Sequence, residues 1–150
     1  MRVLRLDTDS NPESLGDARR RVRDAMVDAG LGSDAAREME IAVGEALSNV
    51  HEHAYGAGVG RVLIEVFRTP SALSIVVSDE GCATVPPAIP RVLPSRTAHG
   101  GHGLYMAARL ADEMNIRVSP AGHGVTVRMT ARLPRVTDPS DGTGRDGAHA

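Results

Sequence analysis

Two strand patterns, Arg61 to Arg68 and Ala72 to Ser78, are separated only by Thr69, Pro70 and Ser71, and this constrains the 150-residue chain most. A connection that short lays the second strand back along the first, so the two pair antiparallel. Ahead of them the periodicity is helical. Val3 to Asp7 reads as a short edge strand, and Asp9, Ser10 and Asn11 before Pro12 supply a helix start. Residues 13–29 then place Leu15, Ala18, Val22, Ala25, Met26 and Ala29 at three- and four-residue spacing and stop at Gly30. Ser33 reads as the cap of a second helix, from about Asp34 to Tyr55, closed by Gly56 and Gly58. Beyond the hairpin come a helix over about Leu104 to Asp112 and strands near Asn115 to Ser119 and Gly124 to Leu133. Helices and strands in this order imply an α+β, two-layer sandwich: a mostly antiparallel mixed sheet with its helices on one face.

Residues 82–99 hold Pro86, Pro87, Pro90 and Pro94 and show no period, so they form a long irregular loop of the kind that serves as a lid or binding loop. From Pro134 to Ala150 the chain has no apolar pattern and reads as a disordered tail. One domain over 1–133 remains. With one Phe, two Tyr and no Trp, its core must be built from Val, Ile, Leu, Met and Ala, and stacking platforms for bases are not on offer.

All seventeen basic residues are Arg, since the chain contains no Lys, and they face nineteen acidic ones for a formal charge of -2. A direct nucleic-acid binder is disfavoured by that balance. A Walker A loop and a Schiff-base enzyme each need a Lys, so both are excluded. Cys82 is alone, which leaves no internal disulfide, and no stretch approaches about 18 apolar residues. The expected setting is cytoplasmic, without a membrane. The arginines at 19, 20, 21 and 23 read as a solvated helix face or an interaction face.

Three places carry possible chemistry. On the second helix Met39, Val43, Ala46, Val50 and Ala54 form an apolar stripe, and Glu45 and Asn49 lie beside it in one row. Alone, the pair reads equally well as pocket-facing groups or as a solvated acid and a helix-weakening amide. Asp79-Glu80-Gly81 follows the apolar run Leu73 to Val77, where a carboxylate beside a Gly can meet a ligand close to the backbone; an ordinary Asp-Gly turn looks the same. His99-Gly100-Gly101-His102-Gly103-Leu104 opens a helix, as a phosphate-holding set of amides does and as a flexible hinge also does. His99, His102 and His123 lie in loops, but no Cys/His spacing supports zinc, and Cys82 reads as a small half-buried residue.

Taken in order, these features resemble the GHKL ATPase superfamily, most closely its anti-sigma-factor serine/threonine kinase branch. The resemblance spans about residues 10–133. Glu45-Ala46-Leu47-Ser48-Asn49 with His53-Ala54-Tyr55 looks like the N box, Asp79-x-Gly81 like the G1 box, Gly101-x-Gly103-Leu104 like the G2 box, and Gly124-Val125-Thr126-Val127 like the closing Gly-Thr strand. The serine kinases carry Glu at the first N-box position, as here, where sensor histidine kinases carry Asn.

The resemblance implies a Bergerat-type fold that takes ATP and Mg²⁺, with residues 82–99 as the ATP lid. It implies Glu45 as general base, Asn49 as the Mg²⁺ ligand, and Asp79 as acceptor for the adenine amine. Gly81 then lets the base approach, Gly101 and Gly103 hold phosphate, and His53, Leu104 and Thr126 complete the nucleotide site. The implied partners are a small anti-anti-sigma (STAS-type) protein as phospho-acceptor, a sigma factor, and a second copy of the chain, since relatives commonly dimerise. Ala83 stands where many relatives have a second G1 glycine, Val125 where they have a Thr, and His99 where some have a basic lid residue. Two alternatives stay open: a nucleotide-gated binding module without catalysis, and a detached histidine-kinase ATPase domain, against which Glu45 argues.

Overall fold

The computed structural model describes residues 1–96 and 102–136. Its elements are β1 (Arg2–Asp9), α1 (Pro12–Asp28), α2 (Ser33–Asn49) running into a π-helical turn (Val50–Ala54), β2 (Arg61–Arg68), β3 (Ala72–Asp79), α3 (His102–Leu110), β4 (Glu113–Val118) and β5 (Val125–Arg132). The strands form one five-stranded sheet in the order β1-β2-β3-β5-β4, with β1 at an edge, and all four pairings are antiparallel. This is an α+β sandwich. The tight connection closes through Thr69, whose N–H donates to the Ala72 carbonyl at 2.9 Å and whose Oγ1 accepts from Ala72 N at 3.1 Å.

Local chemistry sets the helix ends. Asn11 Oδ1 accepts from Ser14 N at 2.8 Å and Pro12 opens the first turn of α1. At the other end Gly30 adopts φ 105, so that Gly30 N reaches the Val27 carbonyl and Leu31 N reaches the Met26 carbonyl, both at 3.0 Å. This pair of hydrogen bonds is a Schellman motif, and it drives Leu31 into the core beside Met26. Because Leu31 is anchored there, Gly32 becomes the last extended residue and Ser33 is already helical. The expected Ser33 cap does not form, and no side chain caps α2.

Period-two and period-3.6 faces meet in the core, where Val22 and Met26 of α1 and Met39, Val43 and Ala46 of α2 pack on Ile64, Ile75, Val77 and Met129 of the sheet. No aromatic ring is among its buried members. Of the arginine run, Arg19 and Arg23 each reach Glu40 on α2 at 3.5 Å, while Arg20 pairs with Asp17 at 3.7 Å. The run is therefore surface in part and a clip between two helices in part. Among the described residues no helix is long and apolar enough to cross a membrane.

Candidate nucleotide site

A cavity of about 300 Å³ opens between the C-terminal half of α2 and the helix-covered face of β3 and β5. Ala46, Asn49, Val50 and His53 form one wall, Val77, Val125 and Val127 the other, and Asp79 lies at one end. The loop after β3 covers it with Ala83, Val85, Pro87 and Ala88, and Leu104 of α3 closes a further side. Apart from Asn49, His53 and Asp79 these side chains are aliphatic or Pro, so the cavity offers burial to a flat apolar group and few directed bonds.

Asp79 is held firmly. Only 4% of it is exposed, and its Oδ1 accepts from Gly81 N at 2.9 Å and from Val125 N at 3.2 Å. Its carbonyl accepts from Ser119 Oγ at 3.0 Å. With Oδ1 engaged by two amides, Oδ2 is the oxygen left to meet a ligand. Two glycines make this possible for steric reasons. A Cβ on Gly81 would collide with the Ala54 carbonyl, and a Cβ on Gly124, which sits at φ 83, would collide with the carbonyl of Asp79. Gly81 thus serves a backbone crossing between the end of the π turn and the Asp79 turn, where Cys82 N donates to the Ala54 carbonyl at 3.3 Å.

The helix expected to run unbroken to Tyr55 changes at Val50 into a π turn, whose i→i+5 bonding widens the backbone. The tertiary contacts of Ala54 and Tyr55 fall just there, and local periodicity carries no trace of them. Tyr55 Oη accepts from Glu80 N at 2.8 Å and donates to the Arg61 carbonyl. Burial raises the Tyr55 pKa and the nearby Asp79 and Glu80 carboxylates add to the rise, against the Glu80 N–H bond, which lowers it.

Glu45 lies at the rim. Its Oε2 sits against the Cα of Gly103 so closely that a Cβ there would collide with it. The N-box acid and the first turn of α3 therefore touch, while Asn49, one turn further along α2, lines the cavity. The structure thus gathers Asn49, His53, Asp79 and Leu104 around one cavity, with Gly81 beside it and Glu45 with Gly103 at its edge. Thr126 is not among these. Period two turns its hydroxyl to the opposite face of the sheet, where Oγ1 shares hydrogen bonds with Ser78 Oγ at 3.1 Å and Ser119 Oγ at 3.0 Å, and Val125 lines the cavity instead. Gly101 and His99 lie outside the described residues.

Three supports of the Asp79 turn went unread in the sequence: the Tyr55 hydroxyl, Ser119, and His123, whose Nδ1 donates to the Gly81 carbonyl at 2.9 Å. Ser119 and His123 sit in a Ser-Pro and a His-Gly of a hairpin connection, where such residues are commonplace. Cys82 is exposed rather than half-buried, although both its N–H, at 3.3 Å, and its thiol, at 3.9 Å, reach the Ala54 carbonyl.

The amino-acid sequence is similar to known proteins. The histidine kinase-like ATPase domain family matches residues 8–131. The chain belongs to that family. It is 30% identical over 142 residues to the serine-protein kinase RsbW of Bacillus licheniformis, spanning 88% of this chain and 86% of that protein. The serine-protein kinase RsbW of Bacillus subtilis is 29% identical over 139 residues, covering 87% and 85%. That of Bacillus mycoides is 31% identical over 121 residues, covering 75% and 74%.

Proposed function

We propose that the protein is a cytoplasmic serine/threonine kinase that takes ATP with Mg²⁺, phosphorylates a small anti-anti-sigma (STAS-type) partner, and holds a sigma factor in the alternative state. The observation that carries this reading is the placement of Glu45 Oε2 against the start of α3, one helical turn from Asn49 on the cavity wall. A carboxylate at the rim of a cavity is where a proton acceptor for an incoming hydroxyl is needed. The similarity to proteins named serine-protein kinases supports the same reaction class.

The residues present fit the groups that the reading requires. Aliphatic walls ending in one fixed carboxylate suit a purine carrying an exocyclic amine, and the Asn49 amide is a hard oxygen ligand of the kind Mg²⁺ takes. When bound, ATP supplies the phosphoryl group and Mg²⁺ offsets the charge of its phosphates. Asp79 orients the base through Oδ2, and on this reading Gly103, in the first turn of α3, holds phosphate through its backbone N–H, with Gly101 in the same role. Glu45 accepts the proton of the acceptor hydroxyl as that oxygen bonds to the γ-phosphorus and the bond from the γ-phosphorus to ADP breaks. His53 and Leu104 bound the pocket; Thr126 supports it from behind the sheet through Ser119. The direct test is transfer of label from γ-labelled ATP to anti-anti-sigma partners, and a wild type that labels none of them while still binding ATP defeats the kinase reading.

Asp79→Asn should weaken ADP binding by about 1 to 3 kcal/mol, roughly five- to 150-fold, because Asn keeps an oxygen for the two amides and turns an NH₂ donor toward the amine. Calorimetric titration in Mg²⁺ measures it, and an unchanged affinity removes Asp79 from base recognition.

The cover over the cavity should respond to nucleotide. Val85, Val92 and Leu93 are largely exposed although apolar, and no helix or strand orders residues 82–96. Trypsin should cut after Arg91 in the free protein and more slowly with ATP and Mg²⁺ present. Equal rates in both states would make this segment a passive loop.

One observation favours a second reading. Val125 presents methyl groups to the cavity, and the neighbouring Thr126 hydroxyl faces away, so the hydroxyl that the resemblance implies for the nucleotide site is lost. A nucleotide-gated binder without transfer tolerates that loss more readily than an enzyme does.

A further inference from the structure

The peptide unit between Asp79 and Glu80 lies at the end of β3, where the ladder stops. Its last partners are Val62 on β2, opposite Asp79, and Thr126 on β5, opposite Ser78. Both polar groups of that one peptide are bound by side-chain hydroxyls: Ser119 Oγ donates to the Asp79 carbonyl at 3.0 Å, and Glu80 N donates to Tyr55 Oη at 2.8 Å. A peptide plane gripped at both ends cannot rotate without breaking a bond, and its orientation sets where the Asp79 carboxylate points. We infer that Tyr55 is a positioning residue for base recognition, its hydroxyl fixing the peptide that aims Asp79 at the exocyclic amine of the nucleotide. The inference rests on the nucleotide reading given above.

The Tyr55 ring is itself fixed by sequence far from the Asp79 turn. It stands on Gly60, where a Cβ would collide with ring carbons Cδ1, Cε1 and Cζ, and its hydroxyl is tied at the other side to the Arg61 carbonyl. Gly60 shows no left-handed φ, so the lack of a side chain there serves the ring rather than the backbone. Tyr55 directly follows Ala54, whose carbonyl takes Cys82 N. The segment that ends the Asn49 helix and the turn that carries Asp79 are thereby joined as one unit, with the Tyr55 phenol donating to the Arg61 carbonyl and accepting from Glu80 N.

The experiment titrates the full-length protein, with Mg²⁺, against ADP and against purine riboside diphosphate, which lacks the 6-amino group. Wild type should prefer ADP, and Asp79→Asn should lose that preference; a wild type without any preference overturns both the base reading and the role of Tyr55. Tyr55→Phe keeps the ring on Gly60 and deletes the hydroxyl. It should cut the preference for ADP by about three- to tenfold while leaving affinity for the amine-free analogue unchanged. Gly60→Ala, which displaces the ring and carries its intact hydroxyl away from Glu80 N, should give a similar loss, and adding it to Tyr55→Phe should change the preference little further. If Tyr55→Phe melts at a lower temperature yet prefers ADP as wild type does, or loses both ligands equally, the hydroxyl is structural only and the inference is wrong while the base reading stands.

Discussion

Glu45→Gln should transfer phosphate to a serine acceptor about 10² to 10⁴ times more slowly than the native protein, while binding ADP equally well. The substitution keeps shape and polarity, so the contact with the start of α3 is preserved and only the proton acceptor disappears. Asn49→Ala is the contrasting arm. It removes an oxygen from the cavity wall, so Mg²⁺-dependent binding and transfer should fall together. Steady-state transfer and calorimetry on the two variants separate the roles, with a thermal melt to exclude misfolding. Wild-type transfer by Glu45→Gln would deny Glu45 its place as base.

Gly124→Ala should be the most damaging change that touches no reacting group. At φ 83 an L residue is strained, and the added Cβ would strike the carbonyl of Asp79 while lying 3.0 Å from its Oδ1. Relief requires the β4–β5 connection to move off the end of β3, which breaks the bonds from Val125 N and Ser119 Oγ to Asp79. Strain and lost bonds together should cost about 2 to 4 kcal/mol. Tm should fall by roughly 6 to 15 °C in a domain of this size, and ADP affinity should drop at least about tenfold as the carboxylate loses its support. Gly122 is the control, since it has φ 87 but nothing near its Cβ position. Gly122→Ala should lose stability without a selective loss of ADP, and equal loss at both positions would mean that strain alone is at work.

How the elements read in the sequence follows from the range over which each signal acts. The apolar stripe of α2 was plain because five residues repeat it, and all of Met39, Val43, Ala46, Val50 and Ala54 are buried. The hairpin was plain because a short connection leaves the strands no alternative. Boundaries moved by one or two residues, as at β4, which spans Glu113–Val118 rather than Asn115 to Ser119. The π turn, the missing Ser33 cap and the grip on the Asp79 peptide were not legible. Each depends on a contact between segments distant in the chain, such as Tyr55 with Glu80 or Ser119 with Asp79, and one such contact leaves no repeat to detect. Val125 and Thr126 stood between. Period two says that neighbours in a strand face opposite sides, but which of them faces the cavity depends on the register with β3.

The division of labour between the two oxygens of Asp79 has a kinetic consequence. Since Oδ1 is bound by the chain's own Gly81 and Val125 amides, the oxygen proposed to meet the base is already aimed, and binding there should need little reorganisation. The segment over the cavity, from Ala83 to Arg96, forms no helix or strand, and on the proposed reading it orders around each arriving nucleotide. Residence time should accordingly be governed by how fast that cover reopens, and changes among its aliphatic residues should alter how long a nucleotide stays far more than which nucleotide is chosen.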